Sequence, residues 1–551
     1  MRHALAALAL AVVTAAVVTG CPNEPAPGKQ GFLAVQFPST FAWGTATAGW
    51  QVEGDTGVNG PVDSNWSRWM AMGKGKGAQQ NPDGNGFFTQ YDSDAQLAAD
   101  LGLDSFRLSV DWSRIEPQPG VFDDDELDHV VDVLHALKAH GLKPVLTLYH
   151  WTVPTWVQNP DGSSPGGTVD LIGSEDHAVV DEFEKFVRHV IPRVKDSVDT
   201  YTVLNEPLSM VVAGYISGTA GTAFPPGNAL DFKTATNFGV NLMYMHARAY
   251  DVIKELDDVD ADGDGEPAFV GLTMTANDIY PENPSSQQEQ LAAESMNYVY
   301  NDWFIQGLVK GDVDFDLNGT IDATDTHADP ALVGRLDFIG VQYYGPVKVK
   351  ELAFLDNVAP LYGLPLTDVK DYVTADEQAL PHNGMGRQID ASDFTATLEH
   401  YAQWNLPLIV TENGTTVNGV PPDDQDPNTE FAPDEDQAAM YLVVHIWEMG
   451  HALQKGLDIR GYFHWTLVDN FEWVEGRRQR FGAYTVDFSD PTYPRTKTKM
   501  GQALEDIAKA GGVTEDIWNK YVLARFPSDT TKAGVGVTTS EPVIGTLGSL
   551  H

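Results

Sequence analysis

The sequence contains a single cysteine among its 551 residues. One thiol excludes an intrachain disulfide framework, and it excludes zinc or iron–sulfur sites built from several cysteines. Basic residues are also scarce, because 34 Lys and Arg stand against 78 Asp and Glu, a net charge of −44. A field of that sign repels phosphate backbones and anionic lipid, so we expect no nucleic-acid partner.

Long apolar runs are scarce as well, and the one at the N-terminus is too short to span a bilayer. Residues 4–18 are apolar or small, whereas a spanning helix needs about 20 apolar residues. The run suits the core of a signal peptide. It ends in Val18–Cys21 (VTGC), which resembles a bacterial lipobox, where the cysteine is lipidated after cleavage. An ordinary signal peptide with an incidental cysteine is the alternative.

We therefore expect an exported, membrane-anchored lipoprotein, periplasmic or at the cell surface, that meets the membrane only through lipid on Cys21. Residues 1–20 are predicted to be the lipoprotein signal peptide, 21–36 a tether, 37–511 a single folded domain and 512–551 a C-terminal extension. The sequence leaves the oligomeric state open.

The body alternates short apolar runs with helical patterns, which favours a (β/α)8 barrel with long loops over a doubly wound sheet. An apolar stripe in residues 127–140 repeats at helical spacing, for example. The eight predicted strands are Phe41–Thr45, Ser105–Val110, Pro144–Tyr149, Tyr201–Leu204, Phe269–Met274, Phe338–Tyr343, Leu408–Val410 and Gly461–Trp465.

Carboxylates follow two of these strands, at the barrel face where active sites are built. Glu206 stands after the fourth strand and Glu412 after the seventh. A carboxylate next to a buried apolar strand costs free energy unless it is paired with another polar group, so an unpaired one suggests a binding or catalytic role. For one such residue a salt bridge is the simpler interpretation, but two of them suggest glycosidic-bond chemistry.

Several motifs make the chain recognisable from about Phe37 to Gly501, where it resembles a glycoside hydrolase family 1 β-glycosidase. The most specific block is Gly461–Trp473, which ends in DNFEW. The other matching segments are Phe41–Gly54, Phe106–Arg114, His150–Trp151, Asn205–Pro207, Tyr343–Tyr344 and Thr411–Gly414.

The resemblance implies a retaining exo-β-glycosidase that acts on terminal β-D-glucosyl, galactosyl or fucosyl residues without an organic cofactor. Glu206 would be the general acid/base, and Glu412 would be the nucleophile. Arg107 and Tyr344 would hydrogen-bond the nucleophile, and Asn205 would hold the sugar 2-hydroxyl. The positions that match the family's glycone-binding residues are Gln51, His150, Trp151, Trp465, Glu472 and Trp473.

The chain departs from the family pattern at three places. Thr152 stands where the family usually has Asp, and Gln342 where it usually has Asn. Neither position is a catalytic carboxylate, so we expect altered support of a loop or of the nucleophile. Arg477 follows Gly476 where the family commonly has Tyr, and it faces either an anionic sugar or the acidic surface.

Two acidic runs have the spacing of calcium-binding loops, with solvated acidic loops as the alternative. In the first run oxygen ligands fall at positions 1, 3, 5, 9 and 12, with a backbone carbonyl at 7. The residues are Asp314, Asp316, Asn318, Thr320, Asp322 and Asp325 in the first run, and Asp260, Asp262 and Asp264 in the second, which lacks an acid at position 12. Both runs precede strands, which predicts structural calcium on the barrel face opposite catalysis.

Two rival functions remain. A non-catalytic glycan-binding lipoprotein would be expected to lack a catalytic carboxylate, yet both Glu206 and Glu412 are present. A dockerin-like docking role for the loop at Asp314 is weakened because that loop is embedded in the barrel sequence and does not form a separate module.

Overall fold

The computed structural model describes residues 33–164, 167–218, 223–349, 383, 385, 389–417 and 433–525. The predicted signal peptide and Cys21 lie outside the described residues. The strands are, in chain order, β1 (Val35–Gln36), β2 (Ala42–Ala46), β3 (Ser105–Ser109), β4 (Lys143–Tyr149), β5 (Gln158–Ser164), β6 (Gly167–Asp170), β7 (Thr200–Asn205), β8 (Phe269–Ala276), β9 (Ile279–Pro281), β10 (Phe338–Tyr343), β11 (Val347–Val349), β12 (Leu408–Asn413), β13 (Ile459–Trp465), β14 (Tyr484–Val486), β15 (Arg495–Lys497) and β16 (Gly512–Val513).

Helices follow or separate the barrel strands. The α-helices are α1 (Gly49–Glu53), α2 (Asn65–Ala71), α3 (Phe87–Asp100), α4 (Trp112–Ile115), α5 (Asp124–Ala139), α6 (Ala178–Val194), α7 (Pro207–Tyr215), α8 (Phe232–Leu256), α9 (Gln287–Asn297), α10 (Trp303–Lys310), α11 (Ser392–Ala402), α12 (Glu435–Gln454), α13 (Lys499–Ala510) and α14 (Glu515–Trp518). Short 3₁₀ helices span Lys76–Ala78 and Trp473–Arg478, and π-helical turns span Tyr298–Asp302 and Asn519–Leu523.

Eight parallel strands close into a barrel in the order β2, β3, β4, β7, β8, β10, β12, β13, with β13 pairing back onto β2. This confirms the predicted (β/α)8 fold, and each of the eight predicted strands overlaps one barrel strand. Parallel strands need a crossover between them, and helices supply it. The eight barrel strands therefore present their carboxyl ends at one rim.

Local chemistry sets where the crossover helices begin. In α5 the Asp123 carboxylate accepts the backbone N–H groups of Asp125 and Glu126, and acidic residues fill the first turn. These contacts satisfy donors that a helix start leaves unpaired and complement its positive end. Leu134 and Leu137 further along the helix are buried.

The two ends of the folded body meet in a short antiparallel pair. In β1, Val35 lies opposite Val513 of β16, and both side chains are fully buried. Residues that the sequence analysis assigned to the tether and to the C-terminal extension therefore take part in the core. Across the described chain, no helix has the length and apolarity needed to cross a membrane.

Candidate active site

The two predicted catalytic carboxylates stand at the carboxyl rim of the barrel. Glu206 comes directly after β7, and Glu412 lies near the end of β12. Glu206 adopts a left-handed backbone conformation, with φ of 39°, between β7 and α7. Such a conformation is costly for a non-glycine residue and is concentrated at functional sites. The strand-to-helix junction thus aims this side chain into the rim.

Glu412 is held from two sides. The Arg107 guanidinium donates to its Oε1 over 2.5 Å, and the Tyr344 hydroxyl donates to its Oε2 over 2.7 Å. Arg107 is fully buried, and Glu412 is 4% exposed. This is the support that the resemblance implies for a nucleophile, with one donor on each carboxylate oxygen.

Burial and these contacts act in opposite directions on Glu412. Burial raises the pKa of its carboxyl, because a low-dielectric surrounding disfavours the charged form. Arg107, Tyr344 and Gln342 oppose that rise, since each favours the ionised form. The Glu412 carboxylate is therefore poorly solvated but paired with the Arg107 cation, an arrangement that suits a nucleophile.

Asn205 has an orientation fixed by three donors. Its Oδ1 accepts hydrogen bonds from Arg107 over 2.7 Å, from Thr273 over 2.9 Å and from Gln342 over 2.9 Å. Its Nδ2 has no hydrogen-bond partner within the part of the chain that the structure describes. That amide can therefore act only as a donor to something in the site, as a contact to a sugar hydroxyl requires.

Glu206 has its own polar surroundings. Its backbone N–H donates to the Thr273 carbonyl over 2.9 Å, and the Ser209 hydroxyl donates to its Oε2 over 2.7 Å. Charge on either Glu206 or Glu412 contributes to raising the pKa of Tyr344 well above its ordinary value, although burial of Tyr344 is the larger cause. One tyrosine therefore lies within the electrostatic reach of both carboxylates.

The predicted glycone residues include a second polar cluster at the rim. Gln51 Nε2 lies 3.3 Å from Glu472 Oε2 and donates to the Phe471 carbonyl over 2.9 Å. Burial raises the pKa of Glu472 to about 8, with further contributions from Glu412 and Glu475. Trp465 hydrogen-bonds the same carboxyl. Gln51 Oε1 is buried without a partner among the described residues, so it is available to a ligand.

The remaining glycone candidates lie in an aromatic cluster. Trp473 packs against Trp151 with ring centroids 4.7 Å apart and against His150 at 6.0 Å. Trp151 donates its indole N–H to the Asn205 carbonyl over 2.8 Å, so its polar atom is used within the protein. Burial lowers the pKa of His150 well below its ordinary value, which keeps this imidazole neutral. Its Nδ1 is buried with no partner in the described chain.

Two of the departures from the family pattern have a structural role here. Gln342 donates to Asn205 over 2.9 Å and also hydrogen-bonds Glu412, so it helps to hold the carboxyl that is predicted to be the nucleophile. The Arg477 guanidinium donates to the Gly84 carbonyl over 3.0 Å and lies 4.6 Å from the Phe488 ring. Arg477 Nε is buried without a hydrogen-bond partner among the described residues. The third, Thr152, donates its hydroxyl to the His150 carbonyl over a long 3.4 Å.

The first acidic run folds into a closed loop. Val313 and Thr326 exchange both backbone hydrogen bonds, over 2.9 and 3.1 Å. Inside the loop, carboxylate oxygens of Asp314, Asp316 and Asp325 lie within 4.8 Å of one another. The Asp322 carboxylate instead accepts from Thr324, and the side-chain oxygen of Asn318 accepts the N–H of Thr320. Three of the six predicted ligands are thus grouped.

In the second acidic run a third carboxylate comes from Asp199, which the ligand spacing of the run does not predict. Oxygens of Asp260 and Asp262 lie within 4.8 Å of one another and of Asp199, just before β7. Asp264 is not in that group and accepts a backbone N–H from Glu266. Burial raises the pKa of Asp199 to about 6. This group lies at the amino ends of the strands, away from the catalytic rim.

Sequence reasoning missed two residues for different reasons. Ser209 follows Glu206 by three positions at a helix start, where side chains share a face, so its contact was foreseeable. Asp199 lies far from Asp260 in sequence and joins it only through the barrel. No local pattern marks it.

The arrangement defines a class of enzyme. A barrel rim carries two carboxyl groups, one of them paired with a buried arginine, beside polar atoms without partners and a tryptophan-rich wall. Hydrolysis of glycosidic bonds uses a pair of carboxyl groups in this way.

Comparison with known proteins agrees with this class. The sequence model of glycosyl hydrolase family 1 matches residues 33–513. A β-galactosidase of Pyrococcus woesei is 28% identical over 527 residues, covering 87% of this chain and 98% of that protein. A 6-phospho-β-glucosidase of Bacillus subtilis is 26% identical over 490 residues, covering 87% of this chain and 98% of that protein. The family 1 β-glucosidase structure of Thermotoga maritima superposes with a TM-score of 0.72 at 25% identity, covering 88% of this chain and 100% of that one.

The chain belongs to glycosyl hydrolase family 1. It is a retaining, exo-acting β-glycosidase, and enzymes of this family need no organic cofactor.

Proposed function

We propose that the chain hydrolyses terminal β-D-glucosyl residues by double displacement, with Glu412 as nucleophile and Glu206 as acid/base. The observation that carries these roles is the buried ion pair between Arg107 and Glu412. The Arg107 side chain is fully buried and donates to Glu412 over 2.5 Å. The carboxyl paired with a cation is the one suited to remain ionised.

In this mechanism Glu412 attacks the anomeric carbon while Glu206 protonates the departing oxygen. Water then hydrolyses the glycosyl ester, with Glu206 acting as base. Asn205 Nδ2 would donate to the sugar 2-hydroxyl. Gln51 and Glu472 would bind hydroxyls at the far edge of the ring, and Trp465 would supply the stacking surface.

Glucose is the primary proposed glycone, with galactose and fucose as the related sugars. Relatives include a β-galactosidase and a β-glucosidase. Glu472 and Gln51 would contact the hydroxyls that distinguish these sugars. A 6-phosphorylated glycone is disfavoured, because residues 474–480 lack the Ser and Lys pattern of the 6-phospho-β-glycosidase branch.

The test is hydrolysis of a panel of aryl β-glycosides by the protein lacking its first twenty-one residues, beside Glu412→Ala. We expect turnover that ranks glucosides first and that disappears in the variant. Unchanged turnover in Glu412→Ala would refute the nucleophile assignment. A folded protein with no turnover on any sugar would favour the glycan-binding alternative.

We also propose that the protein is exported and anchored by lipid on Cys21. The support is the lipobox-like Val18–Cys21 segment behind an apolar run, with the chain's single cysteine at the required position. Mass spectrometry of the mature N-terminus tests it. A diacylglyceryl modification on Cys21 is expected, absent from Cys21→Ser, whereas an unmodified cysteine would contradict the proposal.

Structural calcium is the third proposal, and the first acidic loop fits it better than the second. Asp314 is fully buried, and burial raises the pKa of its carboxyl. Three carboxylates this close repel one another, and a hard dication with oxygen preference would offset that. The second group would use Asp199 with Asp260 and Asp262. Calcium at either position would stabilise the fold and take no part in the reaction.

Chelation tests this proposal. Excess chelator should lower the Tm of the wild type by at least about 2 °C, and added calcium should restore it. Asp316→Asn should lower the Tm in calcium and reduce the response to chelator. Asp487→Asn, in an exposed turn, is the matched control. An unchanged melt of the wild type in chelator would exclude the structural role.

A further inference from the structure

Ser209 has a side-chain hydroxyl that none of the proposed catalytic or sugar-binding roles involves. Its Oγ donates to Glu206 Oε2 over 2.7 Å, and it lies 2.8 Å from Thr275 Oγ1 in β8. A serine hydroxyl has one hydrogen. When Ser209 donates to Glu206, Thr275 must therefore donate to Ser209, and the two hydroxyls form a directed chain that ends on the carboxyl oxygen.

The strength of that hydrogen bond changes during the reaction. A hydrogen bond to an ionised carboxylate is roughly twice as strong as one between neutral groups. Glu206 passes from neutral acid to carboxylate as it protonates the leaving group. The Ser209 contact therefore becomes stronger toward the first transition state, and only interactions that do so accelerate the step.

We propose that Ser209 is a positioning residue that holds Glu206 Oε2, so that the transferable proton resides on Oε1, and that it stabilises the carboxylate formed as the leaving group departs. This inference rests on the proposed acid/base role of Glu206. Thr275 supports it by orienting the Ser209 hydroxyl.

The two chemical steps balance around this carboxyl. In the first, the Oε1 proton moves to the glycosidic oxygen, the C1–O bond breaks with its electron pair going to the leaving group, and C1 bonds to Glu412. In the second, a water oxygen bonds to C1, Glu412 leaves with the electron pair of its ester bond, and the water proton returns to Glu206. Ser209 favours the first step and slightly opposes the second.

Ser209 is neutral, which separates its effect from the charges around Glu206. Among the described residues, charge on Glu206 contributes to raising the pKa of Tyr344, in the loop after β10, and of Tyr401, on α11. Tyr344 also donates to Glu412, which is paired with Arg107. Replacing Ser209 leaves all of these in place, so a change in the pH profile would report the lost hydrogen bond.

The test compares two leaving groups in Ser209→Ala. With a phenyl β-glucoside, which needs protonation, we expect kcat/KM to fall about 10-fold. With a 2,4-dinitrophenyl β-glucoside, which needs little protonation, it should stay within about twofold. The alkaline limb of the phenyl profile should move up by about one pH unit, since the acid loses a bond that favoured its ionised form.

Controls make the outcome specific. Ser209→Thr keeps the hydroxyl and should retain the wild-type profile. Ser217→Ala removes a hydroxyl beyond the same helix; among the described residues that hydroxyl contacts only the Ala213 carbonyl. Equal losses of Ser209→Ala on both substrates, with an unmoved alkaline limb, would overturn the inference.

A parallel Glu206→Ala variant distinguishes failure of this inference from failure of the proposed function. If Glu206→Ala keeps wild-type rates on the phenyl substrate, the acid/base assignment itself is wrong. If it loses that substrate selectively while Ser209→Ala behaves as wild type, only the role of Ser209 is refuted.

Discussion

At the residue scale, the site depends on the Asn205 side chain, whose oxygen accepts hydrogen bonds from three separate strands. Arg107 comes from β3, Thr273 from β8 and Gln342 from β10. With the oxygen so occupied, Nδ2 is left to face a ligand. This arrangement gives the amide a fixed donor direction before any sugar binds, which is the preorganisation that transition-state stabilisation needs.

Asn205→Ala should therefore lower kcat/KM on a β-glucoside by roughly 10²–10³-fold, the usual cost of one preorganised donor. The reason is loss of the contact to the 2-hydroxyl. A matched 2-deoxyglucoside checks it, because the variant should lose much less on that substrate. An equal loss on both substrates would show instead that Asn205 only supports Arg107.

Tyr344 permits a pH prediction for the nucleophile. Tyr344→Phe removes a donor that opposes the raised pKa of Glu412, so this pKa should rise further. The nucleophile must be ionised, and the acidic limb of the kcat/KM profile should therefore move up by about one pH unit. Tyr250→Phe, whose hydroxyl contacts Asp337, is the control. An acidic limb at its wild-type position would contradict the proposed support.

At the element scale, the barrel strands were predictable from the sequence, but the pairing of β1 with β16 was not. Strands such as β10 are mostly apolar and are buried on both faces, which is a local signal. In contrast, β1 and β16 are two residues each, and they pair across almost the whole chain. Such a pair has no periodicity to detect. It becomes visible only once the barrel has brought both ends together.

The C-terminal segment after β16 gives a stability prediction. Trp518 of α14 is 5% exposed and lies 5.0 Å from Trp447 of α12, measured between ring centroids. Trp518→Ala should lower the free energy of unfolding by about 3 kcal/mol, because it leaves a cavity beside α12. Chemical denaturation measures this. Leu291→Ala, at a residue that is 55% exposed, should have little effect. A similar value for both variants would mean that the segment is not part of the cooperative fold.

At the scale of the whole molecule, the acid excess includes buried carboxyls that resist ionisation. Burial raises the pKa of Glu53 to about 7, of Glu448 to about 7 and of Glu472 to about 8. In the unfolded chain such groups ionise near 4.5. The folded state therefore binds more protons than the unfolded state between about pH 4.5 and 8, and stability falls as the pH rises through that range.

Glu53→Gln tests this sign. Glu53 is partly buried, with Arg114 Nε 3.3 Å from its Oε2, and the neutral amide keeps its shape without the cost of ionisation. The loss of stability between pH 5 and 8 should be smaller in the variant, by roughly 1–3 kcal/mol. Glu399→Gln on the surface is the control. A slope identical to that of the wild type would show that Glu53 is ionised in the folded protein.

The structure brings together more of the residues predicted for the catalytic rim than of the ligands predicted for the two acidic loops. Glu206, Glu412, Arg107, Asn205 and Tyr344 occupy strand ends, where the barrel fixes their mutual position, and the structure groups them at one rim. The spacing of acidic residues in a loop predicts a metal site less reliably. Nearby backbone N–H groups compete with the metal for the same carboxylate oxygens. Asp322 and Asp264 accept nearby backbone N–H groups, and so do the grouped Asp314 and Asp316.

The central claim is that Glu412 forms a covalent glycosyl ester. The most direct measurement is to incubate the protein with 2,4-dinitrophenyl 2-deoxy-2-fluoro-β-D-glucoside and to sequence the labelled peptide by mass spectrometry. The account predicts inactivation with one fluoroglucosyl group attached to Glu412. Inactivation with the label on another residue, or turnover without any trapped intermediate, would contradict it.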